Sequence, residues 1–132
     1  MDRVKYLLLV FFYLKVVFGD PQQECLQKNN LKQDELYSAL TNEETPLDST
    51  FGKFFVCLWQ EMGVLKQDGS VDIEQLQKFG ENEIDKIRDV TDSDRTSLAK
   101  KLSECDLKPL PIPEHTAIKI KNCHMNTIIE VL

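Results

Sequence analysis

Much of what this 132-residue chain lacks bears directly on what it can do. No two of its four cysteines are close enough to form a Cys-x-x-Cys pair, which leaves a zinc ribbon or a thioredoxin-like redox site without support. No Gly-x-Ser-x-Gly segment presents a nucleophilic serine, and His115 and His124 are the only histidines. Cys123-His124 does not match the Cys-Cys-x-x-His-x-x-Cys helix of a secreted phospholipase. The sequence therefore reads as a non-enzyme without metal or cofactor. Asn-x-Ser/Thr is absent, so N-glycosylation is not expected. No apolar run approaches the roughly 20 residues needed to span a bilayer.

What is present starts with an export signal. Arg3 and Lys5 precede the apolar run Tyr6–Leu14, and Val17 and Gly19 are small residues at −3 and −1 of a peptidase site. Residues 1–19 are expected to be a signal peptide and residues 20–132 one secreted, extracellular domain. Removing Asp2, Arg3, Lys5 and Lys15 with the leader leaves 13 basic against 21 acidic residues, a net charge of −8. That balance argues against nucleic acid or an anionic membrane as partner. In an oxidising compartment, Cys25, Cys57, Cys105 and Cys123 read as two disulfides, with three pairings open.

Helical periodicity dominates the mature chain, and no segment alternates with period two. Pro21 opens a helix carrying Cys25 and Leu26 that ends near Asn29-Asn30, and a second fits Lys32–Leu40. Asp48 or Ser49 is expected to cap a third, in which Phe51, Phe55, Leu58 and Met62 fall at i, i+4, i+7 and i+11 before Gly63. Asp72 caps a fourth bearing Ile73, Leu76 and Phe79. Gly80 is its candidate break, with Ile84, Ile87 and Val90 continuing beyond. Asp92 or Ser93 starts a helix carrying Leu98, Leu102 and Cys105. Prolines 109, 111 and 113 stiffen the connection to a final helix from Glu114, and the apolar tail Thr127–Leu132 is expected to dock on the body. The fold class is all-α, with six to seven short helices.

Two local motifs yield little. Counting from Gly69 as position six of an EF-hand loop puts Val64 at position one and Gln75 at twelve. Gln75 cannot supply the bidentate carboxylate, so Asp68-Gly69 is a turn. His115 and His124 are either pH sensors or solvated surface residues, His124 being the better sensor because it lies near its helix end beside the apolar tail. The Phe51–Met62 stripe, added to apolar faces on every other helix, exceeds what a solid small core needs. A hollow core costs about 24 cal/mol per Å³ of cavity, and a disulfide closing a loop of about 15 residues offsets around 3 kcal/mol.

The cysteine spacing, with Phe54-Phe55-Val56-Cys57-Leu58-Trp59-Gln60-Glu61-Met62-Gly63 followed by Asp68-Gly69-Ser70-Val71-Asp72, resembles the insect odorant-binding proteins of the pheromone/general-odorant-binding family. That family has six cysteines, the second four residues before the third and the fifth nine before the sixth. Here Lys53 stands at the second position and Glu114 at the fifth, the pattern of the four-cysteine "Minus-C" branch. The resemblance implies bridges Cys25–Cys57 and Cys105–Cys123, six helices around an apolar cavity, and a compliant cavity wall where the middle bridge is missing. Lys53 and Glu114, opposite in charge, are candidates for an ion pair in its place.

The implied function is a carrier that reversibly encloses a small hydrophobic ligand such as an odorant, pheromone or lipid-like molecule. Phe51, Phe54, Phe55, Leu58 and Met62 of the third helix and Leu76, Ile84 and Ile87 of the fourth region are the expected lining. Leu98, Leu102, Ile118, Met125 and Ile128 close the pocket. A membrane chemoreceptor is a candidate further partner, and the expected state is a monomer or weak dimer. The alternatives are a non-olfactory carrier of haemolymph or gland secretion, and a helical signalling protein with a solid core.

Overall fold

The computed structural model describes residues 21–40 and 44–132; the expected signal peptide, and the first part of the loop after residue 40, lie outside them. Six helices follow one another: α1 (Pro21–Lys28), α2 (Gln33–Leu40), α3 (Gly52–Glu61), α4 (Ile73–Asp85), α5 (Asp92–Glu104) and α6 (Pro113–Val131). Among the described residues the extended structure is one isolated antiparallel bridge, Leu65 to Val71.

The helix ends follow from local chemistry. Asn30 takes a left-handed φ of 52°, which stops α1, and the Asn29 side chain donates to the Cys25 carbonyl at 2.8 Å. Gly63, at φ 74°, turns the chain back after α3, so the amides of Val64 and Leu65 both donate to the Trp59 carbonyl. Asp72 caps α4 by accepting from the Gln75 amide.

Other ends depart from expectation. Phe51, not Asp48 or Ser49, is the N-terminal cap residue of α3, and its side chain makes no capping hydrogen bond. Gly80 does not break α4, because the missing side chain is used for packing. A Cβ there would meet Ile128 at 3.3 Å and Leu98 at 3.4 Å. The helix instead stops at Asp85, leaving Ile87 and Val90 outside it. Thr91 caps α5, paired with Asp94 in a reciprocal capping box. Pro113 occupies the first turn of α6, and the expected docking tail is the last stretch of that 19-residue helix.

The two disulfides join Cys25 to Cys57 and Cys105 to Cys123, with Cα atoms 5.7 and 6.0 Å apart. The first ties α1 to α3, and the second ties the end of α5 to α6. The most extensive helix contact is α3 on α6, followed by α4 and α6 against α5. Helix α6 is buried on most of its circumference, from Thr116 to Ile128. It is the axis of the molecule.

Candidate functional site

From α3 an aromatic chain crosses the interior. Phe54 and Phe55 meet edge to face at 5.0 Å, and Phe55 stacks on Trp59 at 6.3 Å. Trp59 meets Phe79 of α4 at 5.5 Å and the His124 ring of α6 at 5.9 Å, while Phe79 and His124 are 4.9 Å apart. Each aromatic pair adds about 0.5–1.5 kcal/mol beyond its buried area. The indole N–H of Trp59 donates to the Ala117 carbonyl at 3.0 Å, which fixes the ring against α6.

Ten of the thirteen expected lining residues belong to the one buried cluster around this chain: Phe54, Phe55 and Leu58, Leu76 and Ile84, Leu98 and Leu102, and Ile118, Met125 and Ile128. Phe51 and Met62, at the two ends of α3, are partly buried against it. Ile87 lies past the end of α4 at intermediate exposure. The same cluster takes in Leu26, Leu36, Leu40, Val64 and Phe79, none of which is among the thirteen.

Polar groups inside this apolar body are the larger departure. His124 is 1% exposed and lies mid-helix, so it is neither a solvated surface residue nor a helix-end group. Its Nε2 lies 3.6 Å from Oε1 of Glu83, itself 1% exposed. Lys121 is buried as well. Its ammonium donates to the Thr45 hydroxyl at 2.6 Å, and the Asn122 side chain clamps the Thr45 backbone through two hydrogen bonds of 2.8 and 2.9 Å. Loss of solvent pushes Lys121 down to about 8, against the opposing pull of Glu44.

The spacing did carry a signal for these residues. Leu76, Gly80 and Glu83 lie at i, i+4 and i+7 on α4; Ala117, Lys121, His124 and Ile128 lie at i, i+4, i+7 and i+11 on α6. All sit on the stripes that face the core.

Two of the clefts among the described residues lie open to solvent. One, of about 730 Å³, lies between the loop before α3, the α5–α6 connection and α6, and mixes polar groups such as Thr45, Asp106 and Asn122 with the apolar Pro46, Leu47 and Leu110. The other, about 370 Å³, contains Lys53, Gln60, Glu61 and Glu114. None of the thirteen expected lining residues borders either cleft. Lys53 and Glu114 share the second, but no ion pair joins them among the described residues. Their helices meet one residue away, where a Cβ on Gly52 would lie 2.7 Å from Glu114 Cβ.

The sequence profile of the PBP/GOBP family matches residues 15–127. None of the curated proteins and none of the solved structures matches the chain.

Proposed function

This chain belongs to the PBP/GOBP family, a binding and carrier family rather than an enzymatic one, and from that premise we propose that it is a secreted carrier enclosing one small hydrophobic molecule in its interior. The observation that carries the reading is the buried cluster itself. Apolar side chains from α3, α4, α5 and α6 pack together with Trp59 and Phe79, and none of the thirteen expected lining residues borders the two open clefts. Affinity would come from apolar ligand surface leaving water, at about 25 cal/mol per Å². The lining residues are the thirteen expected from the sequence, with Ile87 at the margin.

Entry requires the helices to part. The groove at Lys53 and Glu114, where two helices touch without a cross-link, is the seam at which the wall would yield. A yielding wall implies broad rather than narrow ligand selection. The leader-like residues 1–19 and the two disulfides support an extracellular setting, and no described helix is long and apolar enough to cross a membrane. Delivery to a chemoreceptor, and action as a monomer or weak dimer, belong to the same proposal.

A lipophilic fluorescent probe tests it. The carrier reading expects saturable uptake at one site per chain and displacement by volatile apolar compounds. Uptake that never saturates would favour a solid-core signalling protein.

A further inference from the structure

We propose that α2 is an internal stand-in for the ligand: Leu36 and Leu40 fill part of the apolar interior of the empty carrier, and a bound molecule takes their place. The inference rests on the carrier reading and says what the ligand displaces, not where it enters.

Both leucines are fully buried and belong to the same cluster as the expected lining. They lie at i and i+4 on one side of a helix whose Gln33, Asp34, Glu35, Tyr37 and Ser38 are exposed. The seating of α2 differs from that of every other helix. No disulfide reaches it, and among the described residues the extensive helix contacts join the other five. At 8 residues it is also well short of the roughly 12–15 at which a helix begins to hold its shape alone in water. Its helical form therefore depends on the two leucines staying seated.

The flanks of α2, by contrast, are anchored. The Leu31 amide donates to the Leu26 carbonyl at 3.0 Å, on the helix cross-linked to α3. Beyond α2, Thr45 is pinned to α6 by the Asn122 amide and the Lys121 ammonium. A lightly seated helix between two fixed points can leave and return while the rest of the fold stands, as a local opening unit does. Hydrophobic burial is non-directional and follows apolar area, so ligand methylenes can replace the two leucine side chains. Displacing Leu76, Leu98 or Ile118 would instead part helices that pack extensively on one another.

Two measurements test the displacement. Leu36→Ala with Leu40→Ala removes the competitor, so N-phenylnaphthylamine should bind about fivefold more tightly than to the wild type. Leu76→Ala, equally buried but on α4, should not tighten it. Equal tightening in both would mean that any hollow in the core suffices, and would overturn the inference. If the double variant does not fold, hydrogen exchange in the wild type decides. On saturation with the probe, amides 36–40 should exchange about tenfold faster while those of α3 and α6 slow. Amides of α2 that slow with the rest, or unchanged affinity in a folded double variant, would overturn the inference and leave the carrier reading standing. A probe that never binds saturably would end both.

Discussion

The last helix is held in different ways at its two ends. From its middle onward α6 is held to α5: Cys105–Cys123 cross-links the end of α5 to the centre of α6, and Lys101 reaches Glu130 at 2.6 Å. Arg88 adds a link, since it binds Asp94 at the start of α5 and lies 3.5 Å from the Val131 carbonyl. At the N-terminal end no covalent bond joins α6 to α3. Contact there depends on Gly52 letting the backbone come close to Glu114, on the Trp59–Ala117 hydrogen bond, and on Leu110 donating to the Thr116 hydroxyl. One end is fixed by bonds that do not open, the other by packing that can. A carrier needs that asymmetry: a fixed frame and a side that yields.

The largest expected effect comes from removing the frame. Cys105→Ser with Cys123→Ser releases a loop spanning 18 residues and should cost about 3 kcal/mol in the chain-entropy model, read as a lower midpoint in urea. Loss well below 1 kcal/mol would mean that the cross-linked half of α6 is held no more firmly than the other.

Lys121, buried on the same helix, gives a pH-dependent test. Its folded value of about 8 lies below the ordinary 10.5. The folded protein therefore bears the cost of the charged ammonium at neutral pH, and stability should rise as pH climbs from about 8 to 10.5. Measured as the difference between wild type and Lys121→Met, that rise is at most about 3 kcal/mol. A difference flat with pH would contradict the burial of this group.

At the packed end, Gly52→Ala places a methyl 2.7 Å from Glu114 Cβ, so the helices must separate, at about 2 kcal/mol by the usual cost of overpacking. Probe exchange should accelerate in this variant if the seam is the entry. Unchanged stability and exchange would remove the seam from the account.

The smallest effect is at α5. Asp94 accepts from Arg88 and from the Thr91 amide, which hold its carboxyl well below the usual carboxylate range. Asp94→Asn should cost about 1.5 kcal/mol. The deficit is full above pH 4 and fades as acid protonates the wild-type carboxylate. Urea midpoints at pH 7 and pH 3 check both the size and the sign.

Periodicity made an all-α chain of six to seven helices legible in the sequence, while the pairing of the four cysteines, open on their spacing, followed only from the family resemblance. What they misjudged has physical causes. Gly80 reads as a breaker on propensity, but close packing against Ile128 and Leu98 outweighs the roughly 1 kcal/mol that glycine costs a helix. Asp92 and Ser93 are good caps in isolation, yet Thr91 wins because Asp94 completes its box and binds Arg88. Glu83 and Lys121 were missed, and His124 was singled out but placed at a helix end, because polar side chains are ordinarily assigned to water although their spacing placed all three on buried stripes. Opposite charge at Lys53 and Glu114 suggested a pair, whereas the close approach at Gly52 leaves both in an open groove.

Trp59, the sole tryptophan, stands at the centre of the proposed ligand site and makes the most direct test possible. Its emission should change saturably on titration with a volatile apolar compound that displaces the lipophilic probe, at one ligand per chain and with the midpoint found by displacement. Emission that stays constant while the probe is displaced would place the ligand outside the core and contradict the account.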